Sequence, residues 1–166
     1  MKIKSLPSIY RQVQFRSRLE ARWAAYFDLI GMEWQYEPEG FHLDCGNYCP
    51  DFYCPKGFYI EIKPTHEERI KNEHFFKSLS KGTGMSVYCI VGPPSLNPQH
   101  HYRSDHDDYE ACPGVFCHYA FTDKGWGCPY FSYDYPCWED GIDQDLAHTA
   151  ANMRFNNGVA AFNYAK

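Results

Sequence analysis

The chain has 166 residues, of which 44% are hydrophobic and 18% aromatic, and its formal net charge is −5. That composition suits one packed globular domain and excludes a disordered or fibrous chain. No apolar run approaches transmembrane length, and the start, MKIKSLPSIYRQVQ, lacks the apolar segment of a secretory signal, so an intracellular chain without a membrane association is expected.

Charge is unevenly spread. Residues 1–22 hold six basic side chains against Glu20 alone, a balance of +5, whereas residues 104–145 hold ten acidic side chains against Lys124 alone, a balance of −9. One pole is basic and the other acidic. In an intracellular chain, eight cysteines are read as free thiols, buried fillers or metal ligands before disulfides.

Residues 1–16 read as a basic arm or loop. Residues 17–30 read as a helix, because Leu19, Trp23, Tyr26, Phe27 and Ile30 recur at helical spacing and Gly31 follows as a stop signal. Arg16, Arg18 and Arg22 lie off the apolar stripe, with Glu20 on its flank. Ser17-x-x-Glu20 also fits a capping box, so a purely local role for Glu20 stands beside a functional one.

Residues 33–43 read as a first strand, bent at Pro38 to Gly40. The stretch 47–64, NYCPDFYCPKGFYIEIKP, reads as a hairpin whose turn is Pro55-Lys56-Gly57. Side chains alternate faces along a strand, so Glu61 and Lys63 share a face and Ile62 points into the core. Asp51, Glu61 and Lys63 converging on one face are costly unless paired or bound to a cation.

A second helix opens at Pro64 with a capping pattern at Thr65 and Glu68, draws its apolar face from Ile70, Phe76 and Leu79, and ends in Lys81-Gly82-Thr83-Gly84. Lys71, Lys77 and Lys81 read as a solvated face. Residues 85–91 suit a buried strand, completing a crossover unit. Residues 95–110 read as a polar surface loop. Residues 115–121 and 126–133 read as a second hairpin, and 143–157 as a closing helix with Leu146, Ala150 and Met153 on one face. The expected class is α/β, a mixed sheet with helices packed on it.

In this order of elements, Pro50-Asp51, a ten-residue step, then Glu61-Ile62-Lys63, with Glu20 on the preceding helix, resemble the PD-(D/E)xK phosphodiesterase superfamily. Ser17-Arg18-Leu19-Glu20-Ala21-Arg22-Trp23 and Tyr36-Glu37-Pro38-Glu39-Gly40 look like small phage and prophage-type nucleases within it. The resemblance covers about residues 15–94, and more weakly the C-terminal helix with Arg154-Phe155. It implies a single domain, 1–166, with a restriction-endonuclease-like core (helix, three-stranded meander, helix, strand), a hairpin extension over about 109–138 and a C-terminal helix over about 143–157.

The resemblance implies a Mg²⁺- or Mn²⁺-dependent endonuclease acting on DNA in phage or mobile-element recombination, repair or replication, in the cytoplasm of a bacterial or infected host cell. Asp51 and Glu61 would hold metal with the main-chain carbonyl of Ile62, Glu20 would reach in from the first helix, and Lys63 would position or activate water. Physical logic agrees: Mg²⁺ takes oxygen ligands and keeps waters, so few carboxylates suffice. Arg16, Arg18 and Arg22 flank Glu20 and are the expected DNA contacts. A homodimer is one way to cut two strands.

Cys45, Cys49 and Cys54 surround Asp51 and read as packing rather than chemistry. Cys112, Cys117, Cys128 and Cys137 sit at hairpin ends; structural Zn²⁺ and core packing both remain open for them, and the C-x-x-C spacing of zinc ribbons is missing. His100, His101 and His106 read as exposed loop residues. Residues 109–138 hold ten aromatics in the acidic half. The rival reading is therefore a catalytically silent nuclease-fold protein that binds a host or phage protein through this acidic aromatic segment.

Overall fold

The computed structural model describes residues 7–94, 100–102, 144–156 and 159–161. In chain order the elements are β1 (Ser8–Tyr10), β2 (Val13–Phe15), α1 (Arg18–Leu29), β3 (Gln35–Tyr36), β4 (Phe41–Leu43), β5 (Gly46–Tyr48), β6 (Phe52–Cys54) and β7 (Phe58–Lys63). They continue with α2 (His66–Thr83), β8 (Ser86–Val91), β9 (His100–Tyr102), α3 (Gln144–Ala151), β10 (Arg154–Asn156) and β11 (Val159–Ala161). The class is α/β with a mixed five-stranded sheet ordered β3-β6-β7-β8-β9, in which only β7 and β8 run parallel.

The hairpin around Pro55-Lys56-Gly57 forms as the sequence predicts, pairing Phe52 with Ile60 and Cys54 with Phe58. Its return strand β7 is the central strand of the sheet, and residues 58–62 are all buried. The two faces of the sheet carry different cores. Phe52, Phe58, Ile60, Ile62, Tyr88 and Ile90 pack against α1 residues Trp23, Ala24 and Phe27 and against Ala147 and Ala150 of α3. Tyr59, Val87 and Cys89 pack against Phe76 and Leu79 of α2, flanked by Phe41, Leu43 and Tyr48 of the β4–β5 hairpin. Trp23 Nε1 donates to the Gly92 carbonyl at 2.8 Å, anchoring α1 to the end of β8.

Both expected helix starts hold. Ser17 caps α1 by accepting from the Glu20 N–H at 3.1 Å, and Thr65 caps α2 by accepting from the Glu68 N–H at 3.2 Å. Helix α2 ends where Gly84 enters the left-handed region at φ 71°.

Five expectations are corrected. Residues 8–15, read as part of an arm, form the β1–β2 hairpin, closed by Arg11 and Gln12 at φ 46° and 66°. Two left-handed residues make the tight turn that antiparallel strands favour, but its usual Asn-Gly signature is absent. The single bent strand over 33–43 is two strands in different sheets: β3 joins β6, and β4 pairs with β5. The loop expected over 95–110 contributes β9, paired with Val87 to Cys89, so His100 and His101 belong to a strand. The closing helix stops at Ala151 rather than 157. Asn152 bonds the His148 carbonyl through both its main-chain N–H and its side-chain amide, and β10 then pairs with β11. Phe155 packs edge-on against Tyr10, a tertiary contact that favours extended chain there. Finally, Ile70, expected on the apolar face of α2, is 59% exposed.

Candidate active site

The register of the β6–β7 hairpin builds the site. One position past the Phe52–Ile60 pair, Asp51 stands opposite Glu61, and opposed residues of antiparallel strands share a face. The ten-residue step between them is the span that this turn and register require. Lys63 follows two residues after Glu61, again on that face. It is the face covered by α2, and Lys63 Nζ lies 5.6 Å from the Phe76 ring centroid.

Both carboxylates are withdrawn from solvent: Glu61 is 0% exposed and Asp51 4%. The Lys63 ammonium is 2.9 Å from Glu61 Oε2 and 3.8 Å from Asp51 Oδ2. The Asp51 N–H donates to Glu61 Oε1 at 3.3 Å, and the Ile62 N–H donates to Asp51 Oδ2 at 2.8 Å. Asp51 thus caps a main-chain group that β6 no longer reaches. The Lys63 carbonyl accepts from the Gly92 N–H at 2.9 Å, which holds its backbone to β8.

Burial, and then the charge of Asp51, push the Glu61 carboxyl well above the usual carboxylate range, to about 8, although Lys63 opposes the shift. For Lys63, burial works against the charged form, but Glu61 and Asp51 more than offset it and raise its pKa. Lys63 therefore remains an ammonium. Burial, followed by the charges of Glu61 and Asp51, raises the Tyr48 hydroxyl. That hydroxyl is buried beside Glu61 yet makes no hydrogen bond of acceptable geometry. Burial likewise raises the thiols of Cys49, Cys54 and Cys89 and keeps them protonated. Cys54 is a core filler as expected, while Cys49 is half-buried and Cys45 exposed.

Glu20 approaches from α1. Ser17 Oγ donates to its Oε1 at 2.6 Å and Tyr36 OH donates to its Oε2 at 2.6 Å. Burial, with a contribution from Asp51, raises its pKa. The capping contact and the proximity to Asp51 thus fall on one buried side chain, whose oxygens are turned towards Ser17 and Tyr36. Arg16 reaches Asp51 Oδ1 at 2.7 Å and Glu37 Oε1 at 2.6 Å, so this exposed side chain is joined to the carboxylates. Arg18 is exposed. Burial, and then the charge of Arg18, lower the pKa of Arg22, and the buried Arg22 Nε has no hydrogen-bond partner.

Asp51, Glu61 and Lys63 are therefore brought together, with Arg16 as a fourth member and Glu20 at the edge. Sequence reading missed Tyr36, Glu37 and Tyr48 as neighbours of the site. Only the position of Tyr36-Glu37 within a family-like segment hinted at the first two. A groove of about 700 Å³ on the flank, lined by Arg11, Asp28, Trp34 and Tyr36 among others, contains none of the three central residues.

Among the described residues, no group of three or more His, Cys, Asp and Glu is arranged to hold a metal ion. The donors that could do so are Asp51 and Glu61. Their chemistry suits a hard divalent cation: they are carboxylate oxygens held close enough to repel each other. Cys112, Cys117, Cys128 and Cys137, and the aromatic segment 109–138, lie outside the described residues. No helix among the described residues is long and apolar enough to cross a membrane. No protein-family model, curated protein or solved structure matches the chain.

Proposed function

We propose that this chain is a divalent-metal-dependent endonuclease of PD-(D/E)xK type that hydrolyses DNA phosphodiester bonds in phage or mobile-element recombination, repair or replication. The observation that carries the reading is the convergence of buried Asp51 and Glu61 with half-buried Lys63 on one sheet face, with Arg16 paired to Asp51. The element order also supports it: helix α1, antiparallel β3-β6-β7, helix α2 and then parallel β8 are compatible with the expected core order, with β4–β5 read as an insertion.

In this reading Asp51 and Glu61, with the Ile62 carbonyl, would hold Mg²⁺ or Mn²⁺, which would supply a bound water of lowered pKa and screen the phosphodiester. Lys63 is the one counter-ion held in the interior beside both carboxylates; the other, Arg16, is more exposed, and a divalent cation would take over its oxygen on Asp51. Lys63, held as an ammonium, donates hydrogen bonds to water or to the scissile phosphate rather than taking a proton. Glu20, kept in place by Ser17 and Tyr36, adds negative potential at the edge. Arg18 and Arg22 repel each other on adjacent turns, and a backbone phosphate relieves that repulsion.

Incubation with supercoiled, branched and single-stranded DNA in Mg²⁺ or Mn²⁺ tests the reading. Metal-dependent nicking or cutting supports it. Inertness on every substrate transfers weight to the rival, a catalytically silent nuclease-fold protein that binds a host or phage protein.

A further inference from the structure

Arg16 makes two short ion pairs, to Asp51 Oδ1 at 2.7 Å and to Glu37 Oε1 at 2.6 Å. Its main-chain N–H donates to Tyr36 OH at 3.0 Å, so its backbone is pinned to the hydroxyl that also holds Glu20. Glu37 is the partner held under strain. It adopts φ 45° immediately before Pro38, a position where a non-glycine residue is doubly disfavoured. Such a conformation is unfavourable and persists only where the surroundings impose it. Here the Glu37 N–H donates to the Asp51 carbonyl at 2.9 Å and its carboxylate meets Arg16.

The two cations at Asp51 differ in freedom. The Lys63 side chain is 16% exposed and packed over Phe76, whereas the Arg16 side chain is 55% exposed. Moving Arg16 off Asp51 therefore uncovers less packed surface than moving Lys63 would. While Arg16 is in place, both oxygens of Asp51 are engaged, Oδ1 by the guanidinium and Oδ2 by the Ile62 N–H.

We propose that Arg16 is a releasable latch: in the free protein it occupies the Asp51 oxygen that a divalent cation needs, and a substrate phosphate draws it away. The inference rests on the metal-dependent reading above. Guanidinium groups match carboxylate and phosphate equally well as forked donors, so the exchange replaces one ion pair with another. Phosphate binding and metal binding then strengthen each other, and linkage makes the effect reciprocal.

The test is a Mn²⁺ titration of the whole chain by calorimetry, with and without a short phosphorothioate duplex that resists cutting. Arg16→Gln, Arg18→Gln, Glu37→Gln and Asp51→Asn are compared with the unaltered protein, and circular dichroism verifies folding. The latch predicts that Arg16→Gln binds Mn²⁺ about tenfold more tightly without duplex and loses the duplex-induced tightening. Arg18→Gln, which removes the same charge without a contact to Asp51, leaves Mn²⁺ affinity without duplex unchanged and is the control for that arm alone. Glu37→Gln moves in the same direction as Arg16→Gln by a smaller factor and serves if Arg16→Gln does not fold. If Asp51→Asn abolishes Mn²⁺ binding but neither Arg16→Gln nor Glu37→Gln binds more tightly than Arg18→Gln, the latch is overturned and the metal site stands. If Asp51→Asn binds Mn²⁺ as well as the unaltered protein, the metal reading itself fails and the latch with it.

Discussion

Asp51 and Glu61 stand opposite each other across the β6–β7 hairpin, one register position beyond Phe52 and Ile60, and the Asp51 N–H reaches Glu61 Oε1 at 3.3 Å. Two carboxylates on one buried sheet face are unfavourable neighbours, and their burden falls on Lys63 and Arg16.

Removing the charged groups should separate function from folding. Asp51→Ala, Glu61→Ala and Lys63→Ala are each expected to lower metal-dependent DNA cleavage by at least about 10²–10³-fold, the scale of a lost electrostatic contact in a reaction centre. Plasmid-nicking rates measured on folded variants check this. Unchanged rates in Asp51→Ala and Glu61→Ala would sink the nuclease assignment.

The Glu61 carboxyl also ties stability to pH. Its pKa rises on folding from an ordinary 4.5 to about 8. Between those values the folded state keeps a proton that the unfolded chain has lost. The contribution is therefore complete below about pH 4.5 and disappears as pH rises through about 8, with a slope of at most about 1.4 kcal/mol per pH unit. Without divalent cations, Tm should fall from pH 6 to pH 9. Glu61→Gln should flatten that fall, and thermal melts of the two proteins across the range provide the comparison.

Tyr36 joins β3 to α1 by donating to Glu20 Oε2 at 2.6 Å and accepting from the Arg16 N–H at 3.0 Å. Tyr36→Phe leaves the ring packed against Phe15 and Phe52 but strips a partner from a buried carboxylate. A loss of about 1–3 kcal/mol is expected in urea denaturation at neutral pH. A variant as stable as the parent would show that the network is not maintained in solution.

Arg18 and Arg22 are predicted to touch phosphates rather than base edges. Arg18→Gln and Arg22→Gln should each weaken DNA binding alike across unrelated sequences. Each should also reduce the magnitude of the slope of log affinity against log salt by about one. Fluorescence anisotropy over a salt series reads both effects, and an unaltered slope would remove these residues from the interface.

The sequence by itself determined the local elements and the central trio. Helical spacing from Leu19 to Ile30, the caps at Ser17 and Thr65, and the turn at Pro55 to Gly57 are short-range chemistry, so all were legible. Strand alternation was enough to put Glu61 and Lys63 on one face. Hairpin length was enough to bring Asp51 to the same place.

Only the tertiary structure decided the rest. The β1–β2 turn has no glycine to announce it, β3 and β4 separate where Glu37 turns left-handed, and β9 forms because β8 offers it an edge. Arg16 read as a DNA contact from its place beside Glu20 in the chain. Its position on Asp51, thirty-five residues away, depends on where α1 docks against the sheet. The placement of Glu20 against Tyr36 follows from the same docking, whereas Tyr48 is set beside Glu61 by the packing of the β4–β5 hairpin on α2. Burial and partner choice depend on which elements meet, and no window of sequence contains both sides of such a contact.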